Sequence, residues 1–309
     1  MNTLQILLQQ LGLFVIYIMA GVILVKAKVI NRDGLEAISG YVIKMALPLS
    51  VFINIVDSVK KETLLASWPI LVLAFIYYVV MLIVGHFMAK GFGLGKDRKG
   101  IYQSMMLFGN IGFMAVPVIS GVFKPNGVLY VSVFMITDQF MLWTLGIKLL
   151  TMPGEGKFNP KKLINTATVG IVVGMLMVLT GLRLPTIIDT AFQKIGATAS
   201  PLAMIYIGGI FAGLSIKKYL KEISLYGIVA VKMLIAPIII FLLMSLFTVD
   251  TDMRLALSLI FGMPSMTAVV MMANASKMDG DYALGGVFVT TVCGLVTLPC
   301  VCWVLQNLM

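Results

Sequence analysis

Leu107-Phe108-Gly109-Asn110-Ile111-Gly112-Phe113-Met114-Ala115-Val116-Pro117 and Ile260-Phe261-Gly262-Met263-Pro264-Ser265-Met266-Thr267-Ala268 lie 153 residues apart, and glycine, proline and polar residues interrupt each at its centre. Proline removes a backbone N–H and collides with the preceding helical turn. Broken backbone at membrane depth persists only where protein or a water-filled cavity satisfies it. The same offset carries Pro48 onto Pro201, Gly21 onto Gly174, Ala115-Val116 onto Ala268-Val269, Thr137 onto Thr290 and Thr144-Leu145 onto Thr297-Leu298. No gap is needed between 101–145 and 254–298. We read two structural repeats, 1–150 and 163–309, in one membrane domain. With five spans per repeat, an odd number, the copies cross the bilayer in opposite directions. Inverted repeats with interrupted helices are the pattern of a secondary transporter.

Composition agrees. Of 309 residues, 60% are hydrophobic and only 12% charged, with a mean hydropathy of +1.03. One soluble core cannot hide so much apolar surface. Ten spans of roughly 20 residues each use about two thirds of the chain. They are predicted near 4–25, 35–56, 69–90, 101–122, 128–149, 163–182, 197–216, 224–247, 254–274 and 281–306. Turn residues separate them at Asn31–Gly34, Gly91–Gly95 and Lys124–Gly127, and Met152–Asn165 joins the repeats. The glycines at 91, 93 and 95 follow no strand and lack nucleotide-binding spacing.

The net charge of +10 sits in short loops rather than in a nucleic-acid face. Fifteen Lys and Arg fall on one side of the predicted spans and six on the other. The positive-inside rule makes the heavier side cytoplasmic. The chain is therefore expected in the plasma (inner) membrane, with both termini outside the cytoplasm. The N-terminus lacks a basic region, so no cleaved signal is expected, and no lipidation signal is expected at the C-terminus. The three cysteines crowd the last span at spacings that suit neither zinc nor a disulfide framework, so no metal site or other cofactor is expected.

The chemistry is expected at the two interruptions. Helix N-termini there favour anions, and freed carbonyls favour cations. Asn110, with both donor and acceptor, is suited to a carboxylate or a cation, and Ser265 and Thr267 to related work at the second break. Asp138 is the one acidic residue deep within a span, where an ionised Asp costs roughly 2.5–3.5 kcal/mol. With Thr137 and Gln139 beside it, and Thr290 and Thr291 at the matching places of the second repeat, it reads as a site coupling transport to a proton or sodium, or as a structural hydrogen-bonding group. Lys44, four residues before Pro48, either attracts an anion, pairs with Asp138 or reaches toward the interface. Lys232, nearer a span end, is expected to reach the interface. Gly170/Gly174 and Gly209/Gly213 permit close helix contact, in a rigid framework or an oligomer interface.

At these residues the chain resembles the auxin efflux carrier family, which includes plant PIN carriers and bacterial carboxylate permeases. The stretch Ile38–Phe52 with its Pro48 is similar to the family's second helix, Asn110–Pro117 to its first crossover, Met263-Pro264 to the second crossover, and Thr290–Pro299 to the last helix. The resemblance implies an all-α, ten-helix fold of bile-acid-transporter (NhaA-like) type. Helices 1, 2, 6 and 7 would form a scaffold, and helices 3–5 and 8–10 a transport domain with broken helices 4 and 9 crossing at the substrate. It further implies elevator-type alternating access and a homodimer through the scaffold helices. From the resemblance Asn110 carries over as a carboxylate contact and Pro117 and Pro264 as crossover residues, whereas Lys44 matches no family binding residue. Together with the residues read above, the expected substrate-binding set is Asn110, Gly109, Ile111, Met263, Pro264, Ser265 and Lys44, with Gly112, Pro117 and Pro264 shaping the crossover. Two departures stand out. Met152–Asn165 is short where plant members carry a long loop, and span nine lacks the acidic residue of sodium-coupled bile acid relatives.

The expected function is transport of a small mono- or dicarboxylate, such as malate or malonate. The alternatives are sodium-coupled uptake of a bulkier organic anion and, from another class, a passive channel. An enzyme is not expected: no Ser-His or Cys-His pair, paired acidic metal motif or zinc spacing is present.

Overall fold

The computed structural model describes residues 3–58, 60–62, 68–123, 126–151, 166–213, 216–246 and 249–308. The linker expected at Met152–Asn165 and the first half of the Lys124–Gly127 turn lie outside them. Among the described residues the chain is helical, and β pairing is confined to one isolated bridge.

Seven helices are long and apolar enough to cross a membrane: Leu4–Lys26, Arg32–Asp57, Trp68–Gly91, Gly127–Leu149, Thr186–Ala212, Ile223–Met244 and Gly280–Asn307. These occupy the places predicted for spans one, two, three, five, seven, eight and ten. The predicted fourth and ninth spans are each cut in two. Lys96–Leu107 is separated from Ile111–Ala115 and Val116–Val122, and Thr251–Phe261 from Ala268–Ala275. The predicted sixth span is represented by Thr166–Thr180, its first residues lying outside those described. Span seven begins earlier than its predicted start at 197. The Thr186–Ala197 helix precedes Ala199–Ala212, and its polar face (Asp189, Gln193 and Lys194) reads as a loop when only apolar content is followed.

Prolines explain the irregular turns. Val42–Ala46, Ile111–Ala115 and Val229–Ile235 are π-helical, and Pro48, Pro117 and Pro237 each stand two residues beyond. The proline ring displaces the carbonyl four residues back, and the helix widens there. Ser200 Oγ donates to the displaced carbonyl of Phe113 at 3.1 Å, so Pro117 leaves no orphan. The fourth wide turn, Leu142–Gly146, has no proline; Thr144 Oγ1 donates to Phe140 O at 2.7 Å and feeds a second donor into the ladder.

The chain divides into two compact units. The first comprises residues 1–70, 112–139 and 161–214. Within it Thr3–Lys26 packs along Ala199–Ala212, and Thr166–Thr180 along Leu47–Ser58. Small residues set the approach. A Cβ on Gly21 would strike the carbonyl of Ile205, and one on Gly208 the carbonyl of Ile18. Gly174, the repeat counterpart of Gly21, rests against Ile55 and Phe52, and Phe52 is the counterpart of Ile205. Gly170 approaches Pro48 O, and Gly209 the side chain of Leu35. The glycines at 170, 174 and 209 thus serve contacts within the chain.

The second unit comprises residues 71–111, 140–160 and 215–309. Its spine is Gly280–Asn307, against which Lys96–Leu107, Thr251–Phe261, Ala268–Ala275 and the Ile223–Ile235 stretch pack. Arg98 ties helix starts together. Its Nε meets Asp279 Oδ2 at 2.7 Å, its Nη1 lies 3.6 Å from Glu222, and its guanidinium sits 4.9 Å from the centre of the Tyr282 ring. Partial burial disfavours its charge, but the hydrogen bond and charge of Asp279, with Glu222, more than offset this and raise its pKa. Asp279 in turn caps Gly280–Asn307 by accepting from Tyr282 N.

Candidate functional site

The two interrupted stretches meet in the second unit. Asn110 N donates to Pro264 O at 2.7 Å, and Met266 N donates to Phe108 O at 3.0 Å. Between these bonds Gly109 and Ser265 form the isolated antiparallel bridge. Local chemistry explains why both segments are extended here. Pro264 cannot donate, and a Cβ on Gly109 would come within 3.0 Å of Ile111 Cδ1 and 3.2 Å of Met263 Cβ, so any larger residue would have to push those side chains aside. Each break exposes helix-end groups, and the other break satisfies part of them.

Side chains complete the pairing. Ser265 N donates to Thr290 Oγ1 at 3.1 Å, and Thr290 returns its proton to Gly286 O at 2.7 Å. Ser265 Oγ donates to Met105 O at 3.0 Å. Lys232 Nζ donates to Met105 O and to Phe108 O, both at 2.8 Å. Lys232 is fully buried, and the expectation that it reaches the interface is overturned. The wide Val229–Ile235 turn carries it, and the carbonyl end of Lys96–Leu107 supplies oxygens that an apolar interior lacks. Sequence reading missed this role. The available signal was its place five residues before Pro237, much as Lys44 stands four before Pro48.

One group at the bridge is left over. Asn110 is fully buried, and among the described residues neither its Oδ1 nor its Nδ2 has a hydrogen-bond partner. Thr267 Oγ1 and Thr291 Oγ1, in the same unit, are likewise buried without a partner. Leaving an amide dry and unpaired costs roughly 1–3 kcal/mol, and native structures tolerate such groups where a function uses them.

Of the residues singled out from sequence, Gly109, Asn110, Ile111, Met263, Pro264, Ser265, Thr290 and Thr291 all belong to this unit, and all are buried. Gly112, Pro117, Lys44, Thr137, Asp138 and Gln139 belong to the other. There Gly112 abuts Leu47, and Lys44 is exposed beside exposed Met45. Asp138 is fully buried and accepts from Gln139 Nε2 at 3.3 Å, with Thr137 buried alongside. Among the described residues no group of three or more His, Cys, Asp or Glu is placed to hold a metal ion. A cavity of about 200 Å³ opens between Leu73–Val84 and Val231–Met244. Its lining is apolar and includes exposed Ile76, Val80, Ile239 and Leu243, which suits an acyl chain and gives a carboxylate no hydrogen bond.

Comparison with known proteins agrees with this architecture. The chain matches the family described as Membrane transport protein over residues 6–159 and 155–302. It is also similar to an uncharacterized transporter of Methanocaldococcus jannaschii, 23% identical over 292 residues that cover 90% of this chain and 92% of the relative. Together the two matches account for nearly the full length of apolar helices and interrupted segments, and the chain belongs to the membrane transport protein family, the auxin efflux carrier or PIN-like family.

Proposed function

We propose that this protein is a secondary transporter of a small organic anion, a mono- or dicarboxylate such as malate or malonate, held where the 108–111 and 263–266 segments meet. One observation carries the reading: the amide of Asn110, buried and without a partner among the described residues at the bridge of two interrupted helices. A carboxylate accepting from Nδ2 supplies what that group lacks, and the N-terminal end of Ala268–Ala275 adds a favourable dipole. Gly109, Ile111, Met263, Pro264 and Ser265 shape the same place.

In this reading the chain has ten spans in two inverted repeats, with broken spans four and nine crossing at the substrate. Spans three to five and eight to ten move as a body against spans one, two, six and seven, carrying the anion across in the manner of an elevator. Differential affinity for substrate in the two states biases the exchange. Asp138, with Thr137 and Gln139, is the group proposed to couple transport to an ion. The scaffold helices form the homodimer contact, Lys44 adds positive charge, and both termini lie outside the cytoplasm.

The test is thermal unfolding of the purified protein against a panel of small carboxylates. A ligand that binds the folded state raises its stability as concentration exceeds affinity. We expect selective stabilisation by one carboxylate and its loss in Asn110→Ala. The variant without ligand should melt no lower than wild type by more than a cavity's worth, because the substitution removes an unpaired buried amide. Equal stabilisation of wild type and variant would remove Asn110 from the site, and no response to any carboxylate would point to another solute.

A further inference from the structure

Lys232 is the buried charge that the transport reading leaves unused. Its Nζ donates to Met105 O and Phe108 O at 2.8 Å each, and Ser265 Oγ also donates to Met105 O. These oxygens lie at the carbonyl end of Lys96–Leu107, where the helix dipole concentrates negative charge. Unwound carbonyls at a half-helix C-terminus are the ligand set with which transporters hold sodium. Phe261 is the counterpart of Phe108, and its carbonyl accepts from the neutral hydroxyl of Tyr77 at 3.3 Å. At the position matching Lys232 stands Val79, 42% exposed. The oxygen of Phe261 thus accepts from a hydroxyl, where the equivalent oxygen of Phe108 accepts from a buried ammonium.

We infer that the Lys232 ammonium is a built-in cation, standing where a bound alkali-metal ion would otherwise neutralise the carbonyl end of the first interrupted helix. Lys232 is a positioning residue in this scheme. It fixes Met105 and Phe108, and through Phe108 and Gly109 the approach to Asn110. An ammonium that already donates to both carbonyls leaves no place there for a sodium ion, which argues against the sodium-coupled alternative. The consequence for transport rests on the proposed substrate site; the cation-for-sodium substitution does not.

The experiment is thermal unfolding of the full chain without any carboxylate, in sodium, potassium or N-methylglucamine chloride at equal ionic strength. It compares wild type with Lys232→Ala and Lys232→Gln. Wild type should melt at the same temperature in all three salts. Lys232→Ala should melt about 5–10 °C lower in N-methylglucamine and regain at least half of that in sodium, an ion small enough to enter the vacated position. Sodium-specific stabilisation of wild type would overturn the inference, as would a folded Lys232→Ala indifferent to every added cation. Should Lys232→Ala fail to fold, Lys232→Gln decides. It retains an N–H donor without the charge, so a sodium response absent from wild type supports the inference, and no response overturns it. Because no arm contains a carboxylate, failure here is distinct from failure of the Asn110 reading.

Discussion

At the scale of single residues, the site is a set of backbone groups that helices normally hide and that here find individual partners. Thr290 illustrates the economy. One hydroxyl accepts from Ser265 N and donates to its own helix at Gly286 O, so the second break has an acceptor that does not weaken the last helix. Thr290→Val keeps the shape but leaves the Ser265 N–H unpaired. We expect a loss of about 1–3 kcal/mol, read as a lowered unfolding temperature, with Thr290→Ser restoring most of it. A Val variant as stable as wild type would mean that water serves Ser265 equally well. Asn110 is the converse case, a buried amide whose cost is carried by the protein without substrate, and this is why its replacement should abolish ligand response more than stability.

At the scale of elements, prolines and glycines do different work. Pro48, Pro117 and Pro237 widen helices into π turns and so re-aim the residues before them, Lys232 among them. The glycines bring helix axes together. Gly21 lies against Ile205 O and Gly208 against Ile18 O, so Thr3–Lys26 and Ala199–Ala212 touch backbone to backbone. Gly21→Ala forces them apart and should cost about 1–3 kcal/mol. Gly12 lies on the same helix, and a Cβ there would meet nothing within 4 Å. Gly12→Ala should therefore stabilise by about 0.5–1 kcal/mol, through helix propensity alone. Paired unfolding measurements check both signs at once; equal effects would mean that the backbone contact does not limit the packing.

At the scale of the whole molecule, polar chemistry is divided between two units. The bridge, Asn110, Thr290 and Lys232 belong to one, and Asp138 with Thr137 and Gln139 to the other. A buried carboxyl that is not one of the bridge residues is suited to sense an ion rather than the substrate. We expect Asp138→Asn to retain carboxylate-induced stabilisation while uptake into proteoliposomes loses its dependence on an imposed proton or sodium gradient. Unchanged gradient dependence in that variant would remove Asp138 from coupling. The closure of Arg98 on Asp279 and Glu222 holds the starts of three helices of the second unit together, so that unit has a polar fastening as well as its apolar core.

The apolar segments, the interruptions at 108–110 and 262–267 and the membrane setting were legible in the sequence, because desolvation and the backbone limits of glycine and proline act over a few residues. The repeat offset likewise pointed to paired breaks, and the family match agrees with what those motifs resembled. Other features were decided only in three dimensions. Gly109 and Ser265 are 156 residues apart, and no local rule says that they pair. Lys232 read as an interfacial lysine because its partners, the carbonyls of Met105 and Phe108, are 127 and 124 residues distant. The Thr186–Ala197 helix read as a loop because Asp189, Gln193 and Lys194 interrupt its apolar content. Whether a polar group is buried, paired or left over depends on what the fold brings to it, and that is a property of contacts between distant segments rather than of the residue itself.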